Sequence, residues 1–125
     1  MLIHLFFVLG FCCLLVHEMD AIRLKEWKIL PILSRLDDRS GYLAFVSLHL
    51  PLYVVLLWGL SGGDGINRGL IVFLDAFFVV HVVLHLLFHR LLFLDRPDDR
   101  RMSALSWALV WGAGAFGAID LLLIV

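Results

Sequence analysis

The chain has 125 residues, of which 62% are hydrophobic and 17% are charged, and its formal net charge at pH 7 is −1. Soluble domains contain about 45–50% apolar and about 25% charged residues, so this composition argues against a soluble protein. We expect the lipid bilayer to be its main partner, and we expect no nucleic-acid partner.

Four segments are long and apolar enough to be membrane helices. A bilayer core needs about 20 mostly apolar residues per helix. The segments cover about 1–22, 41–60, 70–92 and 103–125. The sequence therefore predicts a single transmembrane domain over 1–125, which is an all-α integral membrane four-helix bundle.

The first segment ends in polar residues, and a mixed segment follows it. His17, Glu18 and Asp20 lie in the last two turns of the first segment. Residues 23–40 then combine basic and apolar side chains with Pro31, which would break a helix. Such a composition is typical of an amphipathic stretch that lies at the membrane interface.

The second and third segments carry further histidines. His49 lies in the second segment, whereas His81, His85 and His89 recur every four residues in the third. At 3.6 residues per turn, these last three form one stripe on one helix face. Unpaired polar groups are costly in hydrocarbon, so we expect each imidazole to have a partner.

The fourth segment is rich in small residues. Small side chains four positions apart let helix backbones approach closely, so this helix is expected to pack deep in the bundle or to join two copies of the chain. The residues that would form such a homo-oligomer are Ala108, Gly112, Ala113 and Gly117.

The basic residues predict the orientation of the bundle. Residues 23–40 and 90–101 contain every Lys and Arg except Arg68. The positive-inside rule therefore places the loops 23–40 and 93–102 in the cytoplasm and both termini on the external side. The expected location is the plasma membrane, or the inner membrane of a cell with two.

This orientation sorts the polar residues of the membrane segments into two layers. The outer layer is His4, Asp75 and Asp120, near Arg68, and we expect salt bridges there. The inner layer is the more informative one, because non-adjacent parts of the sequence contribute imidazoles to it. Its members are His17, Glu18, Asp20, His49, His81, His85 and His89.

The inner layer has the residue types of a metal site. Two histidines at i and i+4 can hold one transition metal. His81 and His89 are about 12 Å apart along the axis, which is too far for one ion. The predicted ligands are therefore His81 and His85, completed by His49 and by a donor from the first helix. His17 and Asp20 are the candidate donors, and His89 is expected at the interface or beside a ligand.

The same residues suggest the metal and its chemistry. Imidazole and carboxylate ligands without a thiolate favour Zn, Fe or Mn. If the protein is an enzyme, Glu18 could act as a general base in metal-assisted hydrolysis. The other chemistry that fits is the iron-dependent oxidation of a membrane-soluble substrate.

Three other interpretations remain open. Haem b could be held between His49 and either His81 or His85. The two polar layers could form a proton or ion path, with Asp75 and Asp120 at its outer end. Neutral histidines bonded to carboxylates could also form a structural polar core that supports assembly.

One motif resembles a known type of small bacterial membrane protein of uncharacterised function. His17-Glu18-Met19-Asp20-Ala21 is similar to the HXXEE type, in which a histidine is followed by two acids in a membrane helix. Here Asp20 replaces the first acid and Ala21 stands where the second would be. The resemblance implies a polar membrane site of unknown activity, and it identifies no substrate.

Overall fold

The fold consists of four long α-helices in sequence. The computed structural model describes residues 4–30, 32–61, 67–92 and 102–124, and it describes their side chains except those of 88–92. The helices are α1 (Leu5–Leu24), α2 (Asp38–Ser61), α3 (Arg68–Leu92) and α4 (Ala104–Ile124). Two short 3₁₀-helices, Glu26–Ile29 and Leu33–Arg35, connect α1 to α2. No described residue lies in a β-strand, so the prediction of an all-α chain is confirmed.

All four helices could cross a membrane. Each of them is apolar over at least 18 residues, by length and composition. Since a helix rises 1.5 Å per residue, about 20 residues span a hydrocarbon core of about 30 Å. The chain is therefore compatible with a multi-pass membrane protein, as its composition indicated.

Three of the four helices form the packed core, and α2 lies to one side. α4 packs along both α1 and α3, while α2 contacts mainly the connecting 3₁₀-helices and α3. Phe7 and Leu14 of α1 meet Leu74 and Phe78 of α3 in this core. The Phe7 and Phe78 rings stack with centroids 6.1 Å apart. The other side of α2 is covered with exposed apolar residues, which suit contact with lipid.

Small residues bring α4 close to its two neighbours. A methyl group added at Gly117 would lie 3.0 Å from the backbone oxygen of Asp75, and one added at Gly112 would lie 3.2 Å from the Cys13 Sγ. Ala113 is buried, whereas Ala108 is exposed. Within the chain, much of the small-residue face of α4 is thus used for packing against α1 and α3.

The segment between α1 and α2 fastens the start of α2 to the end of α1. α1 ends at Leu24 because Lys25 adopts a left-handed conformation with φ of 52°. Trp27 is buried against Phe45, with ring centroids 5.8 Å apart. The Lys25 and Lys28 ammonium groups donate to Asp38 at 2.5 and 3.1 Å. These contacts place the first turns of α2 beside the polar end of α1.

Candidate metal centre

Three histidines from two helices meet at one point. The Nε2 atom of His85 lies 3.0 Å from the Nε2 of His17 and 3.1 Å from the Nε2 of His81. His81 and His85 are adjacent on α3 because they are four residues apart, and α1 brings His17 against them. His17 and His85 are buried, and His81 is half-buried.

The three ring nitrogens are spaced as ligands of one ion would be. Their candidate ligand atoms all lie within 4.8 Å of one another. Metal–nitrogen bonds of 2.0–2.1 Å place two nitrogens on a tetrahedral ion about 3.3 Å apart. The observed separations of 3.0 and 3.1 Å are close to that value.

Hydrogen bonding alone does not satisfy this cluster. A neutral imidazole has one N–H and one lone pair, so the Nε2 of His85 can either donate or accept, while two nitrogens lie within bonding distance of it. The Nδ1 atoms of His17 and His85 are buried without a hydrogen-bond partner. A cation at the centre would accept all three lone pairs and leave each Nδ1 as the protonated nitrogen.

Glu18 and His49 form a pair beside the cluster rather than joining it. The Nε2 of His49 lies 3.1 Å from a Glu18 carboxylate oxygen. Its Nδ1 lies 2.7 Å from the carbonyl oxygen of Phe45, which can only accept, so Nδ1 carries a proton. A second proton must therefore lie between Nε2 and Glu18.

Asp20 is tied to two residues outside the cluster. It accepts hydrogen bonds from Arg23 Nε at 2.8 Å and from the Ser106 hydroxyl group. Ser106 is buried on α4, and its backbone N–H donates to Ser103 at the start of that helix. The Asp20–Ser106 contact joins the C-terminal end of α1 to the N-terminal end of α4.

The structure thus brings together three of the six residues of the predicted metal site. His17, His81 and His85 converge, while His49 pairs with Glu18 and Asp20 pairs with Arg23. The side chain of His89 lies outside the described residues. The sequence analysis did not identify Ser106 as a partner of Asp20. The feature that could have indicated it is a polar residue near the start of the fourth apolar segment.

A cavity connects Glu18 with the histidine cluster. It has a volume of about 180 Å³, and its polar lining comes from Glu18, Glu26, His81 and His85. Ile29, Leu30, Phe45 and Leu84 complete its walls. Glu26, from the 3₁₀-helix that follows α1, therefore lies beside the cavity of the cluster, whereas its neighbour Trp27 packs on Phe45.

A second, more apolar cavity lies on the other side of Glu18. It has a volume of about 210 Å³ and contains Glu18, His49 and Tyr53 among apolar side chains of α1, α2 and α3. Examples of these side chains are Phe11, Leu14, Phe73 and Phe77. The Glu18–His49 pair therefore lies between an apolar space and the cavity that His81 and His85 line.

Comparison with known proteins gives a family but no activity. No curated protein matches this chain, and no solved structure matches it. One family does match, over residues 3–125, and its description is "Family of unknown function (DUF6713)". Because the match covers nearly the whole chain, this protein belongs to the family of unknown function DUF6713.

Proposed function

We propose that this protein is a multi-pass membrane protein that binds one transition-metal ion through His17, His81 and His85. The observation that carries this proposal is the convergence of one ring nitrogen from each of the three histidines, all within 4.8 Å of one another. Intramembrane ionisable residues are expensive to bury and usually have a functional partner. A bound ion supplies that partner for all three imidazoles at once.

The ligand set favours zinc and leaves a position open. Three imidazoles without a thiolate suit Zn²⁺, with Fe²⁺ and Mn²⁺ as the next candidates. Catalytic zinc sites commonly have three protein ligands and one exchangeable position, whereas structural sites have four protein ligands. In the described part of the chain, the cluster has three.

Glu18 is the residue that we propose as the general base if the protein is an enzyme. It lines the same cavity as His81 and His85, so it can reach a molecule that approaches the cluster. A carboxylate there could take a proton from the attacking water in metal-assisted hydrolysis. The contact of its carboxyl group with the Nε2 of His49 would orient Glu18.

The apolar walls suggest a membrane-soluble substrate. The second cavity is bounded mainly by aliphatic and aromatic side chains, four apolar residues line the first, and α2 is loosely packed against the other helices. An apolar molecule could therefore enter between α1 and α2 from the bilayer. The same route would serve the iron-dependent oxidation that we consider as the second chemistry.

Two alternatives receive less support from the geometry. Haem b would need His49 and either His81 or His85 as axial ligands, but both ring nitrogens of His49 have partners, Phe45 and Glu18. A structural polar core is favoured by the Glu18–His49 and Asp20–Ser106 contacts, which join different helices. It explains those two pairs, but it does not explain three imidazole nitrogens that face one another.

We also propose the orientation that the charges indicate. Lys25 and Lys28 lie in the connection between α1 and α2, which we place in the cytoplasm together with residues 93–102. Both termini would then face the exterior of the plasma or inner membrane, and the histidine cluster would lie in the cytoplasmic half. A phosphatase that is active only outside the cytoplasm should be active when fused to the C-terminus. Association of two copies through α4 stays a prediction.

The direct test of metal binding is elemental analysis with matched variants. The purified protein would be loaded in detergent with Zn²⁺, Fe²⁺ or Mn²⁺, freed of excess ions and examined for metal content and visible absorbance. We expect about one ion per chain in the wild type and its loss in His85→Ala. His49→Ala is the control, because it removes a nearby histidine that the cluster does not include.

The outcomes separate the proposals. Equal metal content in the wild type and His85→Ala would contradict the site, as would a wild type that retains no metal at all. Loss of metal in His49→Ala but not in His85→Ala would point to a different ligand set. A strong Soret band that both variants lose would favour haem b.

A further inference from the structure

A second buried polar group lies at the opposite end of the bundle. Asp75 of α3 and Asp120 of α4 are both 0% exposed. Gly117, three residues before Asp120, packs against the backbone oxygen of Asp75, so the two acids lie at one contact between α3 and α4. None of the four carboxyl oxygens accepts a hydrogen bond from any other described group. Asp75 is six residues before His81, which separates this pair from the histidine cluster by about 9 Å along the helix.

The charged groups around the pair do not neutralise it. On α1, the Nδ1 of His4 lies 3.8 Å from a carboxyl oxygen of Asp120. On α3, Arg68 was expected to pair with Asp75, but its guanidinium donates to the carbonyl oxygen of Ile124. Among the ion pairs of the described residues, none joins a Lys or Arg to Asp75 or Asp120.

Two carboxylates in contact cannot both be ionised in such a place. Like charges at short distance in a water-poor interior repel strongly, and one of the two groups then retains its proton. A proton bound between them also removes the hydrogen-bonding deficit, because the O–H of one acid donates to the carboxylate of the other. One shared proton therefore removes one of the two negative charges and supplies the hydrogen-bond donor that the pair lacks.

We propose that Asp75 and Asp120 hold one proton between them at neutral pH and form a proton-binding site that exchanges with water through His4. His4 suits this role because its side chain is 29% exposed while its Nδ1 faces Asp120. A protonated His4 can pass its Nδ1 proton to the Asp120 oxygen, which breaks the N–H bond and forms the O–H bond. The neutral imidazole that remains keeps its Nε2 proton, so the ring turns to bring the emptied Nδ1 to the external water, takes a proton there from hydronium and turns back.

A proton fits this place better than a metal ion. Gly117 packs against the backbone of Asp75 so closely that an added methyl group would lie 3.0 Å from its oxygen. Neither acid lines the cavities that surround Glu18, whereas the histidine cluster does have a cavity beside it. Small ions need several oxygen ligands, and this pair offers two carboxyl groups with a single imidazole at 3.8 Å.

Infrared spectroscopy of the purified protein tests the proposal without relying on any variant. A protonated carboxyl group has a carbonyl stretch that is distinct from that of a carboxylate and shifts in D₂O. We expect this band in the wild type at pH 7, and we expect it to disappear as the pH is raised. A wild type without the band at pH 7 would overturn the proposal, and a chelator-removable bound cation in such a sample would identify what replaces the proton.

Variants assign the band and separate this site from the metal site. Asp75→Asn and Asp120→Asn should each abolish it, so either one suffices if the other does not fold. Asp38→Asn removes an exposed carboxyl group and should leave the band unchanged, as should His85→Ala. A band that survives both Asp75→Asn and Asp120→Asn would refute the assignment.

The role of His4 has its own measurement. In His4→Gln the band should persist, but its exchange with D₂O should slow by a factor on the order of 100, as expected when a positioned proton-transfer group is lost. An unchanged exchange rate would remove His4 from the proposal and would contradict exchange by this route.

Discussion

The Nε2 atoms of His17 and His85 lie 3.0 Å apart, although 68 positions separate the two residues in the chain. Each imidazole belongs to a different apolar helix, and neither has a protein partner at its Nδ1. His81 completes the group from the preceding turn of α3. This contact places the candidate metal centre at the junction of α1 and α3, with Glu18 in the adjoining cavity.

Asp20→Asn should leave metal binding intact, in contrast to His17→Ala one turn earlier on α1. Asp20 binds Arg23 and Ser106 and not the histidine cluster. Losing His17 removes a ligand, and it should weaken metal binding by more than about 100-fold, since even the loss of an outer hydrogen bond costs 10–100-fold. Titration of both variants with Zn²⁺ in detergent measures the difference. Equal weakening in both would restore Asp20 as a ligand.

Glu18→Gln should remove one proton from the Glu18–His49 pair and keep the metal. The glutamine side chain can donate an N–H to a neutral His49 Nε2, so the contact survives without the extra proton. The ¹⁵N spectrum of the variant should therefore show His49 protonated at Nδ1, which donates to Phe45, and not at Nε2. A variant in which Nε2 carries the proton would contradict this hydrogen bond. If the protein has hydrolytic activity, this variant should lose it.

Gly117→Ala should destabilise the bundle, whereas Gly69→Ala should not. The new methyl group at 117 would lie 3.0 Å from the Asp75 backbone oxygen and 3.2 Å from Phe78, which leaves little room for it. Overpacking of this kind costs about 1–3 kcal/mol. At Gly69, near the start of α3, the nearest atom would be 3.5 Å away. Unfolding midpoints in detergent compare the two variants, and equal midpoints would show that α4 can move away without loss.

Asp37→Ala should lower stability at pH 7 but not at strongly acidic pH. Asp37 accepts hydrogen bonds from the backbone N–H groups of Arg39 and Ser40 at the start of α2. Bonding from the Ser40 side chain and then from these N–H groups lowers the pKa of Asp37 from its ordinary value of 3.8. The stabilisation by the carboxylate is therefore present above that value and is lost as the pH falls through the lowered pKa.

Circular dichroism in detergent checks this dependence. The difference in unfolding midpoint between the wild type and Asp37→Ala should shrink as the pH is lowered below about 3.8. Asp37→Asn is the control, because an amide can still accept the N–H bonds but does not titrate. A difference that stays constant with pH would mean that the carboxylate has no part in starting α2.

The sequence anticipated the helices and only part of the site. The long apolar segments allowed four helices to be predicted, since a run of about 20 apolar residues has few other stable structures. The spacing of His81 and His85 already placed these two on one face. The role of His49 and Asp20 could not be read in the same way, because it depends on which neighbour each side chain meets.

The pairing of the polar residues in the outer layer also could not be predicted from the sequence alone. Arg68 and Asp75 are seven residues apart, which brings them near one helix face, and a salt bridge was the simple expectation. In the folded chain Arg68 instead reaches the end of α4, and Asp75 is buried at the α3–α4 contact that also buries Asp120. The approach of α4, permitted by Gly117, decides this pairing.

The sequence by itself determined the all-α class, the four membrane-length helices and the histidine stripe, because hydropathy and helical periodicity are local properties of the chain. Only the tertiary structure decided that His17, not His49 or Asp20, completes that stripe. It also decided that Glu18 pairs with His49 and that Asp75 meets Asp120. These contacts depend on how the packed helices are rotated and how far apart they lie. Small residues on α4 and the Trp27–Phe45 contact determine that geometry between residues that are far apart in the sequence.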